Sequence, residues 1–168
     1  ANLAGLNLSG ANLERANLTK GRLSGANLEG ANLSEANLEG TNLIEANLEG
    51  TNLERANLTK GRLSGANLEG ADLQATDLSG AKLTGANLKK AELSYANLSG
   101  ANLEKADIHD AILKEANLSD ANLSGANIGL VFKEDLENLK NANLSRANLE
   151  GAKLFKANLL LSKALMPD

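Results

Sequence analysis

From Leu3 onward every fifth residue is Leu or Ile, without exception, as far as Ile128. Two positions before each stands a small residue, usually Ala. Gly21, Gly61, Thr41, Thr51 and Thr76 vary that slot, and Leu6 is its one large occupant. The residue directly before the Leu is Asn or Asp in most repeats, and the two after it are mostly Ser, Thr, Glu, Lys, Arg or Gly. The unit reads A-[N/D]-L-x-x.

An α-helix cannot use this pattern, because a period of five sets successive leucines about 140° apart and spreads them around the cylinder. A flat strand cannot use it either, since an odd period sends successive leucines to opposite faces. The pattern works if the chain turns a corner every fifth residue. Within each short extended piece the small residue and the Leu two positions on then point inward together. Asn or Asp between them points outward. Four such sides close a coil of about 20 residues, and coils stack about 4.8 Å apart, pairing their backbones as neighbouring strands do.

The run of A-[N/D]-L-x-x units resembles the pentapeptide-repeat proteins of bacteria and cyanobacteria. The resemblance covers almost the whole chain, and it implies an all-β fold, a right-handed quadrilateral β-helix. The right hand and the square section come from the resemblance; period and polarity alone give a solenoid with corners. On this reading residues 1–168 form one solenoid of about eight coils, roughly 40 Å long. A hexapeptide left-handed helix is excluded by the period, and leucine-rich repeats by their longer unit and uneven leucine spacing.

Corners, breaks and ends add detail. Gly often fills the second x, as in Gly10, Gly25, Gly30, Gly40, Gly50 and Gly65, where a type II turn needs positive φ. Arg15, Lys20, Glu35 and Glu45 stand in the same slot, and there a turn with negative φ is expected, so that two turn geometries alternate. The register breaks once. Leu139, Leu144, Leu149, Leu154 and Leu159 follow Ile128 one residue out of phase, across residues 129–137. Lys133 and Glu134 are charged, so Val131, Phe132 or Leu136 is expected to fill the inward site, either within a bulge or in a protruding loop that touches a partner. Residues 12–31 recur identically as 52–71. At the C-terminus residues 160–168, with Leu160, Leu161, Leu165 and Met166, are expected to cap the last coil or to form a homodimer contact, since many relatives pair end to end.

Composition narrows the chemistry. There is no Cys, which excludes disulfides, thiolate metal sites and Cys nucleophiles. The single histidine, His109, has no second His or Cys beside it and is expected to be a solvated surface residue. No phosphate-binding loop occurs, and the Asn-Leu-Ser and Asn-Leu-Thr triplets arise from the repeat itself. No catalytic residue, metal site or cofactor is expected, so the chain does not read as an enzyme. Seventeen basic and twenty-one acidic residues give a net charge of −4, too mild for nucleic-acid affinity. No apolar run is long enough to cross a membrane and no signal peptide is recognisable, so a soluble, cytoplasmic protein is expected.

Residues 20 apart become vertical neighbours in such a coil. Arg22, Arg62 and Lys82 then share one face, and Glu29, Glu49 and Glu69 form a ladder on the next. Together with Phe132 these are the candidate partner surface. Two functions fit: a non-catalytic structural or protein-binding solenoid of unknown partner, or the behaviour of relatives that mimic duplex DNA and bind DNA gyrase, protecting it from quinolones or inhibiting it. Mimicry needs dense negative charge on one face, and the Arg22–Arg62–Lys82 row interrupts it.

Overall fold

The computed structural model describes residues 2–129, 142–150 and 152. Each five-residue unit closes into the same corner. The N–H of the small residue donates to the carbonyl of the Leu three positions earlier, as in Ala46 to Leu43 and Ala66 to Leu63, both 3.0 Å. At every corner from Gly5 to Gly125 the second residue after the Leu has φ between 53° and 68°. The residue before it has no such value, and this order of signs with the three-residue hydrogen bond is that of a type II turn.

One geometry therefore serves all corners, and the expected alternation is corrected. Arg15, Lys20, Glu35 and Glu45 have φ of 58°, 53°, 56° and 57°, like the glycines. The stack of coils imposes this. The corner N–H of Glu45 donates to Ser64 one coil on (3.1 Å), just as that of Gly25 donates to Ile44 (2.9 Å). A corner that turned the other way would lose its hydrogen bond to the next coil, which outweighs the modest cost of a left-handed residue.

Parallel bridges join residues 20 apart, four in each coil, beginning with Asn2 to Arg22, Asn7 to Asn27, Asn12 to Asn32 and Asn17 to Asn37. Each bridge carries two backbone bonds. Leu28 N–H donates to the Asn47 carbonyl (2.7 Å), and Asn47 N–H donates back to the Ala26 carbonyl (2.9 Å). Single bridged residues separated by turns form each side, and no described residue is helical.

Side chains at the two inward slots build the core. From Leu23 to Leu123 every Leu of the five-residue series is at most 2% exposed, and burying one contributes about 1.5–3 kcal/mol. The alanines stack in columns of their own. Thr41, Thr51 and Thr76 enter the same small slot at no polar cost, because their hydroxyls donate to the carbonyls of Leu18 (2.8 Å), Leu28 (2.8 Å) and Leu53 (2.7 Å). Leu6, the one large occupant, lies in the first coil and is 48% exposed.

The register break becomes an insertion. Asn117 pairs with Asn143 and Asn122 with Asn148, an offset of 26 in place of 20. The coil containing the break thus carries one whole unit plus one residue more than its neighbours, which accounts for the single-residue phase change in the sequence. Val131, Phe132 and Leu136 lie outside the described residues, as do Leu160, Leu161, Leu165 and Met166 of the expected cap.

Candidate functional surface

The four sides can be followed by their central outward residues. The first carries Arg22, Asn42, Arg62 and Lys82; the second Asn27, Asn47, Asn67, Asn87 and Asp107; the third Asn32, Asn52, Asp72, Glu92 and Ile112; the fourth Asn37, Asn57, Asp77 and Asn97. Most of this polar chemistry is consumed by the fold. Asn27 Oδ1 accepts the N–H of Glu29 (3.1 Å), and Asn52 Oδ1 that of Glu54 (3.0 Å). The same bond recurs along the chain, and it supplies the first turn residue's N–H with a partner. This role was missed in the sequence reading. Its signal was there: Asn or Asp at a fixed slot two positions before a turn residue.

On the second side the asparagines also bond to each other. Asn47 Nδ2 donates to Asn27 (3.2 Å), Asn67 to Asn47 (3.1 Å) and Asn87 to Asn67 (3.0 Å). Every amide points the same way along the stack. Asp107, which has no amide hydrogen, interrupts the ladder and starts a new one by accepting from Asn127 (3.0 Å).

Asp107 gathers further partners. Lys89 Nζ lies 3.4 Å from its Oδ2 and His109 Nδ1 3.3 Å from its Oδ1, while His109 Nε2 faces Asp110 at 3.2 Å. His109 is therefore a surface residue whose side chain is 35% exposed, held between two carboxylates that the sequence reading did not assign to it. Two positions separate His109 from Asp107, so the turn folds the ring back over the carboxylate. Burial acts to raise the Asp107 carboxyl, but hydrogen bonds from the His109 N–H and ring and from Lys89 outweigh it and hold it below the usual carboxylate range. Among the described residues no group of three or more His, Cys, Asp or Glu is placed to hold a metal ion.

The candidate partner residues separate into two edges. Glu29, Glu49 and Glu69 occupy the corner between the second and third sides, and the carboxylates of Glu49 and Glu69 accept from Asn67 (3.3 Å) and Asn87 (3.2 Å). Exposed Arg22, Arg62 and Lys82 stand on the first side, and exposed Lys20 and Lys60 on the corner leading into it. None of these five cations forms an ion pair with another described residue. Elsewhere charge is matched within the stack: Arg15 bonds Glu35 (2.8 Å) and Arg146 bonds Asp120 (2.6 Å). Phe132 of the proposed surface lies outside the described residues. The sequence reading passed over Tyr95, which is 57% exposed at a corner with φ of 63°.

Comparison with known proteins agrees with this architecture. The family model for pentapeptide repeats matches eight times, beginning with residues 1–34 and ending with 138–160. The chain belongs to the pentapeptide-repeat family. Among solved structures it is similar to Rfr23, a pentapeptide repeat protein from the cyanobacterium Cyanothece 51142. Identity there is 32% and the TM-score 0.62, over 68% of this chain and 88% of that one. HetL of the cyanobacterium Nostoc sp. strain PCC 7120, a protein involved in heterocyst differentiation regulation, is 35% identical over 91% of this chain and 74% of its own, with a TM-score of 0.34. A trypsin-treated form of QnrB1, a plasmid-mediated fluoroquinolone resistance protein, is 22% identical over 95% of both chains, with a TM-score of 0.51. Curated proteins gave no match. No described helix is long and apolar enough to cross a membrane.

Proposed function

We propose that this chain is a non-catalytic, protein-binding solenoid of the right-handed quadrilateral type, which displays its charged edges to a protein partner. One observation carries the reading. The outward asparagines are tied to backbone and to each other, whereas Lys20, Arg22, Lys60, Arg62 and Lys82 are exposed and make no ion pair with a described residue. Side chains that contribute little to the fold are the ones left for recognition. A cytoplasmic setting belongs to the same proposal, and a chain without cysteine is compatible with either redox state.

DNA mimicry gains no support from this surface. A duplex presents one negative charge per ~1.7 Å of axis, and here an edge of five cations stands among the acids. The likeness to QnrB1 extends to the fold alone. Photo-crosslinking from Ser64, beside Arg62, is the test. A partner bound through this edge is captured by the wild-type chain and lost on Arg22→Glu with Arg62→Glu. Capture that survives both reversals rejects the reading. In a gyrase supercoiling assay the chain is expected to leave the rate unchanged.

A further inference from the structure

The two unmatched charge columns lie on diagonally opposite edges of the coil. Corners follow the sides in order, so the corner of Glu29, Glu49 and Glu69, between the second and third sides, is two sides away from the corner of Lys20 and Lys60, between the fourth and the first. Arg22, Arg62 and Lys82 continue that basic edge onto the first side. The corner between the third and fourth sides is matched internally by Arg15 with Glu35 and Arg55 with Glu54. Glu39 lies between Lys20 and Lys60, and Lys89 and Lys90 follow Glu69 one coil on, so from Lys20 to Glu69 one edge is net positive and the opposite edge net negative.

Their spacings agree. Arg22 and Arg62 are two coils apart, and so are Glu29 and Glu69; Lys82 adds a cation one coil further on. Asn42 stands between Arg22 and Arg62, whereas Glu29, Glu49 and Glu69 fill successive coils, and every spacing in both columns is a whole multiple of the inter-coil step, about 4.8 Å. Acidic side chains on one face of an ordinary strand recur at about 6.8 Å and drift out of step with these cations. Another coil of the same pitch stays in step.

From this commensurate, oppositely charged pair of edges we infer that a second copy of this chain docks side by side, its Glu29–Glu49–Glu69 edge against the Arg22–Arg62–Lys82 edge of the first. The inference names a partner within the protein-binding reading proposed above. Because the two edges are diagonally opposed, one two-fold dimer cannot satisfy both. The contact is heterologous, and rods add in rows. Exposed charges attract weakly and are screened within about 10 Å at 0.1 M salt, so the rows form at low ionic strength and high concentration.

Sedimentation equilibrium of the full chain tests this. The weight-average mass is expected to climb with concentration at 20 mM salt without a plateau at the dimer. The apparent association constant should fall by about tenfold or more by 200 mM. Reversing the basic edge (Arg22→Glu, Arg62→Glu, Lys82→Glu) makes both edges acidic; reversing the other (Glu29→Lys, Glu49→Lys, Glu69→Lys) makes both basic. Each variant alone should be monomeric, and an equimolar mixture should associate more strongly than wild type. Neutral variants (Arg22→Gln, Arg62→Gln, Lys82→Gln) serve if reversal harms folding, and should also be monomeric. A wild-type chain that stays monomeric at 20 mM salt overturns the inference. So does association that resists salt or persists in every variant, which would place the contact elsewhere. Crosslinked capture of a different protein at the basic edge is read separately, so that the broader proposal stands or falls by itself.

Discussion

The side-chain amide of Asn127 donates to the carboxylate of Asp107 one coil below, at 3.0 Å, and that bond starts a ladder which Asp107 cannot pass on to Asn87. With Lys89 and His109 also on this carboxylate, its folded-state pKa lies below the usual range. An unfolded Asp titrates near 3.9. The pairing therefore contributes fully above about pH 4 and is lost as pH falls through the lower folded value. Asp107→Asn removes this dependence and restores an amide that can donate to Asn87. The melting midpoint of the wild type should fall more between pH 5 and pH 2 than that of the variant. Parallel slopes would show that Asp107 is not a stabilising carboxylate.

Gly129 lies against the Cβ of His109 at the edge of the register break. A Cβ built on Gly129 would overlap the Cβ of His109 and come within 3.1 Å of its Cα, and φ there is +65°. Gly129→Ala should destabilise by about 2 kcal/mol or more, from left-handed strain and overpacking together. His109→Ala in the same chain should not rescue it, because the obstructing Cβ remains; His109→Gly should rescue in part. Thermal melts of the three variants decide this, and equal recovery with both partners would point to the imidazole instead.

At the corners the strain is isolated from packing. Gly50 has φ of +58° and open space within 4 Å of a built Cβ. Gly50→Ala should still cost about 1 kcal/mol, since an L-residue pays to be left-handed. Glu45→Gly removes that strain at the equivalent slot, while raising the entropy of the unfolded chain by about 0.4–1 kcal/mol, and should leave stability level or slightly higher. Urea midpoints suffice, and a loss of more than about 1 kcal/mol in Glu45→Gly would mean that its side chain does more than occupy the corner.

The inward columns were legible from the period alone, because only a corner every five residues lets Leu43, Leu48 and Leu53 all face inside. The corner conformation was not. Arg15 and Glu45 adopt positive φ against their own preference, and what compels them is the hydrogen bond to the next coil, a contact nineteen residues away. The same holds for His109: Asp110 beside it was visible in sequence, but the fold of the turn over Asp107 was not. The candidate partner residues were readable as columns once the coil length was known. That Lys20 and Glu29 belong to opposite edges, with Arg22 on the side next to Lys20, follows only from counting sides around the coil.

Leu68 is 1% exposed in a central coil. Leu68→Ala should cost about 2–5 kcal/mol, from lost burial and the cavity left behind. A chain of this size loses roughly 2–4 °C of melting temperature per kcal/mol. Circular dichroism followed against temperature reads the change directly.

Ala66 poses the sharper question, because it is fully buried in the column of small residues while Ala75 is exposed at a corner. The decisive measurement is the melting temperature of Ala66→Leu against Ala75→Leu. The first must force a branched side chain into a site built for a methyl group and should lower the midpoint by several degrees or prevent folding. The second should leave it nearly unchanged. An Ala66→Leu chain that melts with the wild type would contradict the inward assignment on which the whole coil rests.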